Sequence, residues 1–376
     1  MRDRVRNRHI GTMRFGAIIL LATVLSATHA AEAQAPVRIA VARLTHDHVG
    51  RVWSVKNPEV QVVGIYEPNA ALVDRLAKRF GFDRRLVYTD LAKMLDDVKP
   101  EVVVAFGSIY EHLAVVEAAA PRGVHVMVEK PLAVSVEHAV RIESIAKRYG
   151  IQVLTNYETS WYPSMLATRT LIQGDSAIGP LRKLVVHDGH QGPQEIGVSR
   201  EFLEWLTDPV QNGGGALIDF GCYGANLATW LMHGEAPLTV TAVTQQIKPE
   251  LYPRVDDDAT IILTYPKTQA IIQASWNWPT GRKDLEVYGA TGYVIAPNGT
   301  SLRVRRAGAS EETMSLPPRI PPDQNEWQYL AAVVRGSIRV ADTDLASLAN
   351  NVTVVRILDA ARRSAASGRT VTLGRL

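Results

Sequence analysis

A carboxylate and an ammonium close a short apolar run, Val124-His-Val-Met-Val-Glu-Lys-Pro131. Four apolar residues around one His make a buried strand, and Glu129-Lys130-Pro131 stops it. A strand that ends in a charged pair and a proline presents that pair at the carboxyl edge of its sheet, where open α/β sheets bind ligands. Farther along, Gly213-Gly-Gly-Ala-Leu-Ile-Asp219-Phe-Gly-Cys-Tyr223 opens with three glycines and continues as a helical segment. Asp219 and Tyr223 are four apart, a spacing that puts both on one helix face. An ammonium can stabilise developing negative charge, and a carboxylate or a phenol can hold a proton. Each stretch alone reads equally well as a salt bridge after a core strand or as a polar network between elements.

Taken together and in this order, the two stretches resemble the glucose-fructose oxidoreductase / inositol dehydrogenase / rhizopine-catabolism family (Gfo/Idh/MocA) over residues 36–373. In that family a Glu-Lys-Pro triplet meets a GGGxxxDxGxH or GGGxxxDxGxY helix beside a nicotinamide ring. The resemblance implies Lys130, Asp219 and Tyr223 as the catalytic set, with Tyr223 where most members carry a His base, as in the glucose-fructose oxidoreductase branch. It implies NAD rather than NADP as cofactor, a sugar or glycoside as substrate, and a homodimer or homotetramer through the C-terminal sheet. A tyrosine has an ordinary pKa of about 10, so it would need a neighbouring ammonium and the nicotinamide cation to become a base. The role expected of Asp219 is to hold Lys130 and the substrate hydroxyl.

The elements that must position these groups are legible in order. Val37 to Ala42, Val60 to Tyr66, Glu101 to Phe106, the Val124 run and Gln152 to Thr155 read as strands. They alternate with helices over His48 to Asn57, Ala70 to Phe80, Tyr110 to Ala120 and Val136 to Tyr149. That alternation predicts a Rossmann domain, a doubly wound parallel sheet, over residues 36–156. From Pro180 the texture changes to strands at Leu181–His187, Leu238–Ile247, Ala259–Tyr265, Ala270–Trp276, Lys283–Tyr288 and Ser301–Arg305. Residues 157–376 are therefore expected to be an α+β domain with a mostly antiparallel open sheet, helices on one face, few of them between the strands. Glu326 to Val334 and Leu345 to Ala366 read as helices, the last with an apolar stripe and free to pack back on the first domain.

The first turn of the parallel sheet is unusual. A dinucleotide fold carries G-x-G-x-x-G there, so that backbone can approach the pyrophosphate. Here Arg43, Thr45 and His48 occupy the glycine positions. Arg43, Thr45 and His46 are candidate phosphate donors, with the helix start behind them. Two His and Asp47 also suggest a metal, but the sequence shows no third ligand from elsewhere, so none is assigned. Glu67 ends the second strand, where an acid accepts from an adenosine ribose. By the resemblance Ser108, His112, Glu129 and Asn156 flank the cofactor; Ser108 reads equally as a helix cap. Trp161, Tyr162 and Trp276, with Trp278, are candidate sugar-stacking rings, and His190, with His187, a candidate substrate contact.

Composition limits the rest. Arg2, Arg4, Arg6, Arg8 and Arg14 precede an apolar run from Phe15 to Leu25, then small residues, which predicts a secretory signal over 1–35 and a periplasmic or secreted protein. Removing those five Arg and two acids from the 41 basic and 38 acidic residues leaves 36 of each. A neutral mature chain gives no footing for nucleic acid. One cysteine, Cys222, excludes an intrachain disulfide. No later segment is apolar enough to suggest a stable membrane association. The leading expectation is an exported oxidoreductase with retained NAD. The alternatives are an NAD-dependent glycosidase or lyase working through a transient keto sugar, and a catalytically silent sugar-binding protein.

Overall fold

The structure is a computed structural model that describes residues 35–374 except 55–56 and 175–176. The expected leader, and its cleavage site, lie outside the described residues. Residues 36–376 form one compact unit built on two sheets.

The first sheet holds β1 (Val37–Ala42), β2 (Val60–Tyr66), β3 (Val87–Tyr88), β4 (Val102–Ala105), β5 (His125–Glu129) and β6 (Val153–Asn156). All pairs are parallel, in the order β3-β2-β1-β4-β5-β6. These runs are rich in Val, Ile and Ala because helices cover both faces and neither side meets water. Ala40, Val103, Val126 and Val128 face Val116, Ile142, Val352 and Val355. Their neighbours Ile39, Val41, Val104 and Met127 face Leu72, Leu76, Trp327 and Leu330. Two helices from the far end of the chain thus help to cover the first sheet.

The second sheet holds β7 (Leu181–Gly189), β8 (Thr239–Gln245), β9 (Asp258–Thr264), β10 (Gln269–Ser275), β11 (Arg282–Gly289), β12 (Tyr293–Asn298), β13 (Ser301–Arg305), β14 (Glu312–Ser315) and β15 (Val371–Thr372). Its order is β14-β13-β12-β11-β7-β10-β9-β8-β15, antiparallel except for β7 beside β10. Alternate residues such as Leu184, Val186, Ile261, Ile272, Leu285 and Val294 are buried against helices Gly221–Leu231 and Leu348–Ser367. The opposite face is largely open, as its half-exposed alternate residues show.

Several short elements are absent from the sequence reading: β3, β12, β14, β15 and the helices Leu91–Val98, Pro163–Arg169 and Arg200–Leu206. The helix expected from His48 is shorter and starts as a 3-10 turn, Asp47–Gly50, before Arg51–Ser54. The glycine-rich helix is broken. Ala216–Asp219 ends at Phe220, and Gly221–Leu231 begins a new run. Gly215 is obligatory there, because a Cβ would stand 1.8 Å from the Asp256 carbonyl oxygen. That closeness lets the Asp256 carboxylate accept from Gly215 N (2.9 Å) and Leu217 N (2.7 Å), which anchors the turn carrying Asp219.

Candidate active site

Lys130 leaves the end of β5 through a cis Lys130–Pro131 bond and reaches the broken helix. Its ammonium donates to the main-chain oxygen of Asp219 (2.9 Å) and to the Asp219 carboxylate. Asp219 also accepts from Trp276 Nε1 at 2.9 Å. Burial by itself would lower the Lys130 pKa, but Asp219 outweighs it and keeps the ammonium charged. Burial by itself would raise the Asp219 pKa, but Lys130, His190 and Trp276 hold it below the usual carboxylate range. The pair is self-consistent: an ammonium and a carboxylate that exist out of water because each has the other.

Tyr223 lies beside this pair, its ring 5.1 Å from Lys130 Nζ and 5.3 Å from Lys283 Nζ. Tyr157 meets it edge-on at 5.3 Å and Phe220 stacks at 6.0 Å. Burial raises its phenol well above the ordinary value. In the chain by itself Tyr223 is therefore a hydrogen-bond donor at neutral pH. Lys130, Asp219, Tyr223, His190, Lys283 and His46 line one cavity of about 360 Å³. His190 is kept neutral by burial and accepts the Gly192 N–H at its Nδ1 (3.0 Å).

Some groups at this site escaped the sequence reading. Lys283 pairs with Glu158 at 2.7 Å, and although burial opposes it, that ammonium brings the Glu158 carboxyl down to about 2. Asp188 is buried with neither carboxylate oxygen hydrogen-bonded, and burial raises its pKa well above the ordinary value. It faces inward with Leu184 and Val186, four and two residues earlier in β7, and lies opposite Lys283 in register. That strand parity was readable in His187-Asp188-Gly189-His190.

Other candidates lie elsewhere or are occupied. Trp276 is fully buried, so it positions Asp219 and offers no face to a sugar. Trp161 sits against Tyr329 and donates to Asn156 Oδ1 (3.0 Å), away from the cavity. Asn156 in turn donates to Glu129 Oε1 (3.1 Å). Tyr162 lines a second, more open cavity of about 870 Å³ over the sheet, as do His190 and Trp278; its hydroxyl donates to Glu158. His187 bonds Asp284 at 2.8 Å. Ser108 caps its helix, donating to Gln211 Oε1 (2.7 Å), and His112 is buried with Nδ1 against the Leu132 carbonyl. Cys222 is buried with its thiol pushed up to about 12, hence unreactive.

The dinucleotide end of the sheet differs from the expectation. Arg43 keeps the left-handed conformation of the missing glycine (φ 68°), but its guanidinium donates to Glu67 and forms an ion pair with Glu111, both at 2.9 Å. Glu67 also accepts from Leu44 N (3.0 Å) and Asn69 N (2.9 Å), which leaves little for a ribose. The amides of Arg43, His46 and His48 go to Tyr66 O, Phe106 O and His46 Nδ1. Thr45 turns its hydroxyl to Phe106 O (3.4 Å). Over this loop lies Arg200–Leu206, with Phe202 and Trp205 at 4.3 and 5.6 Å from the His46 ring. Ser199 N donates to Asp47, Arg75 pairs with Glu201, and Tyr110 N donates to Gln211 O. The space left is about 330 Å³, rimmed by Glu111, Glu201, Glu204 and Asp208. Phosphates need free amides or cations, and this rim is acidic. The 199–211 segment lies over the loop, so a dinucleotide's phosphates placed here would meet that acidic rim.

The helix of this segment was readable in hindsight. Ser199 caps Phe202 N, Glu201 stands in the first turn, and Phe202, Trp205 and Leu206 recur at helical steps.

Two lobes, one a six-stranded Rossmann sheet and the other an open antiparallel sheet, with a lysine of the first on an Asp–Tyr turn of the second, define an oxidoreductase of the nicotinamide-dependent class. The chain belongs to the Gfo/Idh/MocA family: residues 39–157 match its "Oxidoreductase family, NAD-binding Rossmann fold" and residues 165–295 its C-terminal domain. NAD is the cofactor of that class. Trans-1,2-dihydrobenzene-1,2-diol dehydrogenase of Xenopus tropicalis is 24% identical over 333 residues, 85% of this chain and 94% of that protein. The aldose-aldose oxidoreductase from Caulobacter crescentus, solved with glycerol, superposes with a TM-score of 0.74 at 20% identity, covering 90% of this chain and 100% of that one. An inositol dehydrogenase homolog from Azotobacter vinelandii, solved with NAD+, gives 0.76 at 18% identity, over 90% and 97%.

Proposed function

We propose that the protein oxidises or reduces a hydroxyl-bearing carbon of a sugar or glycoside, outside the cytoplasm, with NAD. The observation that supports this most is the convergence of Lys130, Asp219 and Tyr223 on one cavity that His190 and Lys283 also line. NAD, when bound, supplies the hydride acceptor. The chain's own residues handle charge and protons. Lys130, kept charged by Asp219, stabilises the alkoxide as it forms. Tyr223, kept protonated by burial, donates a hydrogen bond to the same oxygen. Neutral His190 receives the hydroxyl proton, its Nδ1 releasing the Gly192 N–H.

The test is a panel of sugars and glycosides followed at 340 nm and by product mass. A keto product, lost in Lys130→Ala, is expected. Full turnover by Lys130→Ala would overturn the assignment. Nucleotide binding is measured separately by titrating NAD into the purified protein. The arginine-rich, apolar N-terminus is what favours export, and N-terminal sequencing of the extracytoplasmic protein checks it. Self-association through the open sheet face follows from the family likeness and is checked by sedimentation.

A second reading, elimination or hydrolysis through a transient keto sugar, is favoured by Asp188. Burial raises the pKa of this carboxyl, which has no hydrogen-bond partner, and a raised carboxyl is the kind that serves as a proton donor to a leaving group. A released aglycone with no net NADH separates this reading from the first.

A further inference from the structure

The His-Asp-His loop lacked one thing as a metal site, a third ligand from another element. The fold supplies it. Glu129, at the end of β5, comes beside His46 and His48, so that one ligand atom from each of the three lies within 4.8 Å of the others. We propose that His46, His48 and Glu129 bind a divalent ion of the zinc or manganese type.

The geometry favours it. His48 Nδ1 and Glu129 Oε2 are 3.2 Å apart. Two ligands of one ion, each bonded at about 2.0–2.2 Å, stand at such a separation. The two His come from the loop after β1 and Glu129 from the end of β5, two strands away in the same sheet, so the site does not depend on a loop alone. Glu129 is oriented from behind by Asn156, itself fixed by Trp161 Nε1. Such outer contacts are what hold ligating carboxylates in place. Phe202 and Trp205 wall off the far side of His46.

Two His and one carboxylate leave coordination positions open. His46, His48, Lys130 and Tyr223 line the same cavity, so these positions look toward the proposed substrate space. Vicinal oxygens of a polyol or hydroxy-ketone are ligands of the right hardness for them. No uncompensated cation opposes an ion here, since Lys130 is paired with Asp219 and Lys283 with Glu158. Asp47 is not a ligand; its carboxylate accepts from Ser199 N. The other grouping of this kind, His187, Asp284 and Glu286, is weaker, because Arg282 already bonds both Asp284 oxygens.

Binding alters one contact in particular. His46 Nδ1 accepts the His48 N–H at 3.1 Å. Ligation through the other nitrogen puts the ring proton on Nδ1 and breaks that loop bond. The ordinary account of these residues, a His–Glu ion pair beside a loop cap, predicts no such change and no metal.

The experiment strips the full-length protein with EDTA, exchanges it into clean buffer, and adds Zn²⁺ or Mn²⁺ without substrate or nucleotide. Metal retained after desalting is read by mass spectrometry, and Co²⁺ replaces Zn²⁺ for a visible spectrum. One ion per chain is expected, with affinity reduced by at least about tenfold in Glu129→Gln and in His48→Asn, and unchanged in His187→Asn. A Co²⁺ spectrum of nitrogen and oxygen ligation should vanish in the same two variants. If His46→Asn fails to fold, Glu129→Gln decides alone, since its amide oxygen can still accept from Asn156. No stoichiometric ion in the wild type, or equal retention by Glu129→Gln and His48→Asn, would overturn the proposal. Because no redox reaction is measured, its failure leaves the oxidoreductase reading standing, and the reverse holds as well.

Discussion

The carboxyl edge of the first sheet has two ends with opposite characters. At the end of β5, Lys130 crosses to Asp219 and Tyr223 and keeps a cavity open. At the ends of β1 and β2, Arg43 and Glu67 pair with each other and the 199–211 segment covers the loop, leaving about 330 Å³ with an acidic rim. One fold thus keeps the chemistry-bearing end of its crevice lined by lysines while the end that would hold phosphates is covered and turned acidic by its own chain. A family pattern in the sequence does not guarantee that every part of the family's groove is presented.

The largest effect expected tests the open end. Lys130→Met leaves the Asp219 carboxylate buried without its partner, which should cost about 3–5 kcal/mol of stability. Pairing it with Asp219→Asn should recover much of that loss in urea unfolding while activity stays absent. Equal unfolding of the single and double variants would break the view of a mutually dependent pair.

The closed end is tested by removing its acids and its wedge. Glu201→Gln with Glu204→Gln and Trp205→Ala should raise NAD affinity by roughly tenfold, or about 1.4 kcal/mol, by calorimetry. Unchanged affinity would mean that the segment is not what limits entry. Trp276→Phe removes a hydrogen bond to a charged acceptor, worth about 1.5–3 kcal/mol; turnover should fall with little change in KM. A matching loss in Tyr223→Phe with no alkaline rise in the wild-type rate would show the phenol acting as donor, as its burial requires.

The last test concerns pH. The Glu158 carboxyl is lowered from 4.5 to about 2 in the folded chain. A depressed carboxyl contributes stability above its unfolded pKa, and that contribution is lost as pH falls through the interval toward about 2. Lys283→Gln should flatten this part of the acid-unfolding curve.

What could be read beforehand follows the same division. Lys130 was legible because a strand ending is a local property of sequence; Asp219 and Tyr223 were legible from the family's motif, while the single helix face expected of them is broken at Phe220. The longer strands of the parallel sheet were legible because their β-branched runs are buried on both faces, whereas the two-residue β3 was not. The Glu158–Lys283 pair was not, since its partners lie on separate elements and nothing local joins them. Nor was the third neighbour of His46 and His48, because Glu129 arrives only through the order β1-β4-β5. Trp276 shows the converse: an indole between polar residues suggests a ring platform, yet it is sealed in the core with its N–H on a carboxylate.

The final long helix, Leu348–Ser367, bears on how the crevice could ever widen. Val352 and Val355 belong to the core of the first sheet, whereas Val354, Ile357 and Leu358 belong to that of the second. Rocking one lobe away from the other would pull a single rod out of one socket. Loosening is cheaper in the exposed strip at residues 194–197, which precedes the helix anchored by Phe202, Trp205 and Leu206. Brief protease treatment should therefore nick that strip first and leave the two halves clamped together.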